Sequence, residues 1–156
     1  MYDIENYFNA ETIKEAVTLL KEYPDARVIS GGSDVLIKIR EGKMAGTSLV
    51  SIRDIKEIKG VQQMESGDIY IGAGTTFSHV TNDPVIQKLI PVLGEAVDQV
   101  GGPQVRNIGT IGGNVCNGAV SADSAPTLFF AECHAADRRW NWWTDGSHQG
   151  FLSGTW

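Results

Sequence analysis

The clearest periodicity in the chain lies near its start. In ETIKEAVTLLKEYPDA, residues 11–26, the apolar positions Ile13, Ala16, Val17, Leu19 and Leu20 recur at helical spacing on one broad face. Thr12 and Glu15 form a capping box that satisfies free amides at the helix start. Pro24 stops the helix. ARVISGG, residues 26–32, predicts a short strand running into two glycines. SDVLIKIREG, residues 33–42, predicts a second helix that begins near Ser33 and ends at Gly42. The first third therefore reads helix, strand, Gly-Gly turn, helix.

TSLVSI, residues 47–52, predicts another strand, and IKEIKG, residues 55–60, a short helical turn. VQQMESGDIYIGAG, residues 61–74, predicts a hairpin with Ser66-Gly67-Asp68 as its turn. The apolar pattern of residues 75–102 is helical and is broken at Asp83-Pro84 and Ile90-Pro91. Each proline is tolerated as the first residue of a new helix. The pattern then fails. VGGPQVRNIGTIGGNVCNGAVSAD, residues 100–123, is rich in glycine and carries only Arg106 and Asp123 as ionised groups. No ordinary amphipathic helix is predicted there. SAPTLFFAEC, residues 124–133, predicts a helix again.

Charge and composition narrow the function. The net charge is −6 and no basic patch is present, which argues against nucleic acid as a partner. No apolar run is long enough to span a membrane, and the first residues lack the basic and apolar parts of a leader. The two cysteines, Cys116 and Cys133, fit a reducing compartment. These features together predict a cytoplasmic location.

The chemistry concentrates in two glycine segments. In RVISGGSDVL the glycines permit close approach of backbone to a ligand, amides at the start of the helix favour an anion, and Ser33 adds a hydroxyl. Neither a Rossmann fingerprint nor a P-loop lysine is present. Asp34 would repel a phosphate unless its carboxylate turns away. The same residues also serve as a plain strand-to-helix turn. In NIGTIGGN, Thr110, the amides around Ile111 to Gly113, and the Asn114 side chain could form an anion-binding nest, with Asp123 placed to accept sugar hydroxyls. A glycine corner where two elements pack tightly fits this segment equally well. If both segments faced one diphosphate, backbone dipoles would leave little need for cationic side chains.

Taken together and in order, RVISGGSDVLIKIREG, IYIGAGTTFSHV and VGGPQVRNIGTIGGNVCNGAVSADSAPTL are similar to the FAD-binding subunits of the xanthine dehydrogenase family of molybdenum hydroxylases. The similarity runs from about residue 2 to about residue 131 and is greatest for the separate flavin subunits of bacterial xanthine dehydrogenases. It implies an α+β, two-lobed FAD-binding domain of the molybdopterin dehydrogenase kind, within the vanillyl-alcohol-oxidase-like (PCMH-type) class. It implies that the FAD diphosphate lies between two loops. The first is Val28, Ile29, Ser30, Gly31, Gly32, Ser33, Asp34 and Val35. The second is Thr110, Ile111, Gly112, Gly113 and Asn114. Val100 and Asp123 fall at further cofactor-binding positions. The resemblance also implies partner subunits that carry the molybdenum cofactor and [2Fe–2S] clusters, with NAD⁺ as acceptor. No catalytic side chain and no metal ligand is implied in this chain. An alternative is a remnant that keeps partner contacts without flavin; another is a simple nucleotide-binding module.

The pattern divides the chain into a first lobe, residues 1–55, a second, incomplete lobe, residues 56–133, and a tail, residues 134–156. The tail has no Val or Ile and holds all four tryptophans, Trp140, Trp142, Trp143 and Trp156. This break predicts that the family pattern is truncated after residue 131 and that a change of reading frame near Glu132 replaced the native continuation. Of the single residues, Cys116 is expected to be a small buried filler of the second loop. Cys133, His134 and His148 match no standard zinc spacing. His79 is expected at the surface or in packing. Arg106 is expected to fix its loop rather than to meet a phosphate.

Overall fold

A computed structural model of the chain describes residues 2–118 and 123–131. The expectations for Cys133, His134, His148 and the tryptophan tail lie outside the described residues.

A three-stranded parallel sheet is built from β1 (Ile4–Asn9), β2 (Arg27–Ile29) and β3 (Thr47–Ser51), with β3 in the middle. Helix α1 (Ile13–Glu22) connects β1 to β2, and α2 (Val35–Arg40) connects β2 to β3. Parallel strands need such crossovers, and the helices then cover the faces of the sheet. Successive residues of β3 point to opposite faces and show this directly. Val50 packs with Ala10, Ala16, Ala26 and Ile55 beneath α1, whereas Leu49 packs with Ile29 and Ile39 of α2. Phe8 and Tyr23 close the first cluster, their ring centroids 4.4 Å apart. Apolar rings at such spacing contribute beyond their buried area.

The strand β1 has no counterpart in the expected elements. It lies at the edge of the sheet with Tyr7 exposed, so its sequence, IENYFN, shows no strong alternation. The cap of α1 follows the sequence with one change. Thr12 Oγ1 accepts from the Glu15 amide at 3.1 Å, but Glu15 Oε2 accepts from the Glu11 amide at 2.9 Å. Within the predicted apolar face, Ala16 is buried while Ile13 and Val17 are exposed.

A one-turn 3₁₀ helix, Lys56–Ile58, leads into the antiparallel hairpin of β4 (Val61–Gln63) and β5 (Ile69–Ile71). Three short helices follow: α3 (Phe77–Asn82), α4 (Pro84–Leu89) and α5 (Pro91–Asp98). Pro84 and Pro91 each stand at a helix start, where no amide is needed. The segment expected to be an irregular glycine loop is largely helical. It forms α6 (Pro103–Ile108) and α7 (Ile111–Asn117), joined at Gly109-Thr110. Thr110 explains the restart, because its hydroxyl caps the Gly113 amide at 3.2 Å. The last described helix is α8 (Ser124–Phe130). Phe77, Val80, Ile86, Leu93, Val97, Ile111 and Leu128 form one buried cluster shared by these helices.

Candidate functional site

The first glycine segment leaves the carboxyl end of β2, the end at which open parallel sheets bind ligands. Its amides are its main chemical feature. Among the described residues, none of the six successive N–H groups from Ser30 to Val35 donates to a protein acceptor. The residues are half-buried, so these donors line a recess rather than an open surface. Unpaired amides in partly covered backbone call for an acceptor. Gly32 makes the bend possible: its φ is +75°, a conformation that side chains rarely tolerate. Asp34, which would repel an anion, is paired with a lysine. Its Oδ2 lies 2.7 Å from Lys38 Nζ. The same ammonium donates to Asn117 Oδ1 at 3.3 Å and so ties the first segment to α7.

The second segment is built differently. Its amides are already paired. Ile111 N–H donates to Thr75 O and Gly112 N–H to Ala73 O, both at 2.9 Å. Gly113 N–H goes to Thr110 Oγ1 and Asn114 N–H to Thr110 O. The expected nest of free glycine amides is therefore absent here, because capping and an adjacent segment consume the donors. What remains is the Thr110 hydroxyl proton and the Asn114 amide group. The Asn114 carbonyl oxygen is taken by the Ser124 hydroxyl at 2.5 Å, and among the described residues its NH₂ has no acceptor.

The adjacent segment, residues 73–76, has no assigned role from sequence. Phe77 N–H donates to Gly109 O at 3.0 Å, and Thr76 and Thr110 form an isolated antiparallel bridge. This short ladder holds α6 and α7 in register. Thr75 is buried and locks it to the rest of the chain, exchanging bonds of 2.9 and 3.1 Å with the Gly60 amide and carbonyl. The IGAGTT motif was visible in the sequence, but its bracing role depends on pairing across more than thirty residues.

The two glycine segments meet. A Cβ built on Gly31 would lie 1.9 Å from the Ile108 carbonyl oxygen, so only glycine allows this contact. At the junction sits a pocket of about 140 Å³ lined by residues of both segments and by Arg53 and Lys59. A larger cleft of about 540 Å³ lies at the opposite, amino-terminal ends of the strands, beside Arg27 and Thr47. It contains neither glycine segment.

The remaining site residues divide. Val28 is exposed on edge strand β2, and Ile29 is buried against Ile39 and Leu49. Val100 packs against the cluster around Phe77, and its carbonyl accepts from Arg106. Arg106 does fix its loop: Nη1 donates to Gly101 O at 2.9 Å, and Nε lies 3.1 Å from Asp98 Oδ1. Asp123 is exposed at the turn before α8. Cys116 is exposed on α7, not the buried filler expected, because the segment is a helix with an outward face. His79 is half-exposed and lies 3.4 Å from Asp83. Among the described residues no helix is long and apolar enough to cross a membrane, and no cluster of potential metal ligands occurs.

The residues at the junction fit the diphosphate of FAD. Among the described residues, six unpaired amides offer donors, and the nearby Asp34 carboxylate is ion-paired with Lys38. Comparisons with known proteins agree in family. A profile described as the FAD binding domain in molybdopterin dehydrogenase matches residues 2–137, somewhat beyond the expected limit at 131. The xanthine dehydrogenase FAD-binding subunit of Escherichia coli is 40% identical over 131 residues, covering 83% of this chain and 45% of that protein. The nicotinate dehydrogenase FAD-subunit of Eubacterium barkeri is 36% identical, covering 82% of this chain and 43% of that protein. The structure is similar to that of carbon monoxide dehydrogenase from Hydrogenophaga pseudoflava, with a TM-score of 0.72 and 32% identity, over 76% of this chain and 41% of that one. The chain thus spans less than half the length of these relatives. Matched by the profile over most of its length, it belongs to the family of FAD binding domains in molybdopterin dehydrogenases.

Proposed function

We propose that this chain binds FAD as part of the electron-transfer subunit of a xanthine dehydrogenase-like molybdenum hydroxylase. In this reading electrons come from [2Fe–2S] clusters on a partner subunit and leave for NAD⁺. The molybdenum cofactor sits on another partner. The observation that carries the reading is the row of unpaired amides from Ser30 to Val35 beside the second glycine segment. FAD supplies the redox chemistry, since a flavin exchanges electrons singly or in pairs. The chain supplies position. Amides of residues 30–35 hold the diphosphate; the Asn114 NH₂, oriented by Ser124, and the Thr110 hydroxyl add donors; Asp123 accepts sugar hydroxyls. Residues 1–55 and 56–133 act as two lobes on either side of the cofactor.

The relatives named as FAD-binding subunits of xanthine and nicotinate dehydrogenases support this reading. A visible absorption spectrum of the purified chain, taken after incubation with FAD and gel filtration, tests it. Retained flavin bands are expected. A colourless protein that is folded by circular dichroism would reject FAD binding by this chain and favour the alternative of a non-binding remnant. Retention of ADP without FAD would favour a plain nucleotide-binding module.

A further inference from the structure

The pocket at the junction differs in chemistry from the glycine backbone beside it. It is lined by Ser30 and Gly31 of the first segment, by Arg53 and Lys59, by Thr76, and by Asn107 with its neighbours. Arg53 follows β3 and Lys59 follows the 3₁₀ turn, so only the fold brings them to the glycine segments. Among the described residues neither forms a salt bridge. No carboxylate lines the pocket.

Among the described residues, the Asn107 and Thr76 side chains each have their oxygen engaged and a donor left over. Asn107 Oδ1 already accepts from the Ser78 hydroxyl at 2.7 Å, which leaves the NH₂ group. Thr76 Oγ1 already accepts from the His79 amide at 3.3 Å, which leaves the hydroxyl proton. The Ser30 and Gly31 amides have no acceptor among the described residues. A recess lined by two cations, several free donors and no carboxylate favours an anion. Its volume of about 140 Å³ is far below that of a site for a whole cofactor and suits one small group.

We propose that this pocket is an anion subsite in which Arg53 and Lys59 take up one phosphoryl group. The proposal leans on the FAD reading only for the source of that group, which is either the cofactor's diphosphate or free phosphate. It departs from the expectation that backbone dipoles would leave little need for cationic side chains. In a chain of net charge −6, two unpaired cations at one recess also set the local field against the overall one.

The full chain and an Arg53→Gln/Lys59→Gln variant are compared in three titrations. The probes are FAD, riboflavin, which has no phosphate, and inorganic phosphate. Loss of each charge-assisted contact should weaken binding by about tenfold. FAD affinity should therefore fall roughly a hundredfold in the double variant, with a shallower dependence on salt, while riboflavin affinity is unchanged. Phosphate should compete with FAD in the parent protein only. Equal FAD affinity and equal salt dependence in parent and variant would overturn the subsite and leave the flavin reading standing. If the parent fails to bind FAD but phosphate still raises its melting temperature, and does so only when Arg53 and Lys59 are present, the subsite stands with free phosphate as ligand and the flavin reading falls. If neither probe affects the parent, the subsite falls as well.

Discussion

Gly31 approaches Ile108 so closely that an added Cβ would stand 1.9 Å from the Ile108 carbonyl oxygen and 2.5 Å from its carbon. The obstacle is backbone, which cannot swing aside like a side chain. This contact joins the turn after β2 to the end of α6 and sets the distance between the two glycine segments.

Gly31→Ala should therefore cost about 1–3 kcal/mol of stability, the range for forcing a methyl into packed structure. FAD affinity should fall with it, because the segments must separate. Gly42→Ala is the control. Gly42 has φ +77° and nothing within 4 Å, so alanine there costs about 1 kcal/mol through backbone strain alone. Urea denaturation and flavin titration of both variants check this. Equal effects on flavin binding would show that the Gly31 contact does not position the site.

The Ser124–Asn114 bond offers a second test. Ser124 is fully buried, and its hydroxyl has Asn114 Oδ1 as acceptor. Asn114→Ala should cost about 1–3 kcal/mol, because a buried hydroxyl is left unpaired. Ser124→Ala should cost less, since Asn114 is only half-buried and water can replace the hydroxyl. A double-mutant cycle by chemical denaturation should give a coupling of about 1 kcal/mol. Additive effects would mean that the bond does not orient the Asn114 amide.

Arg106 holds the turn between α5 and α6 through two carbonyls and Asp98, and its side chain is only 17% exposed. Arg106→Met preserves length and removes the donors. It should lower stability by about 2 kcal/mol, as expected for charge-assisted bonds to partly buried carbonyls. Because the guanidinium is spent on the loop, Arg106→Met should leave the salt dependence of FAD binding unchanged. A shallower salt dependence would assign Arg106 to the anion instead.

Glu41 and Lys43 supply a pH prediction. The hydrogen bond from Lys43, then its charge, holds the Glu41 carboxyl below its ordinary range, and the same bond raises Lys43. The depressed carboxyl contributes stability above its unfolded pKa, and this is lost as pH falls through the folded value. The raised ammonium contributes below its unfolded pKa, and this is lost as pH rises through the folded value. The pair thus acts only between carboxylate and ammonium titration. Both groups are solvent-exposed, so the effect is small and screened. Lys43→Ala should shift the urea midpoint slightly at neutral pH in low salt. The shift should vanish in acid and in high salt. A shift that persisted in acid would point to packing by the lysine stem instead.

Local signals determined much of this protein. The capping Thr12, the prolines at 84 and 91, and the apolar spacing of residues 13–20 placed helices correctly, because caps, missing amides and periodicity act within a few residues of each other. The glycine motifs pointed to the family for a similar reason: backbone that must bend or be approached closely restricts the residue type at that position. What tertiary structure decided was partnership. Edge strand β1 exists because β3 accepts it, and its own pattern is weak. Residues 111–117 became a helix because Thr110 caps it and residues 73–75 absorb its first amides, which removed the free nest the glycines predicted. Among the described residues the unpaired donors lie instead at residues 30–35, and Arg53 and Lys59, from other parts of the chain, line a pocket with Ser30 and Gly31. Whether an amide is free depends on which distant carbonyl comes near it, and no local pattern encodes that.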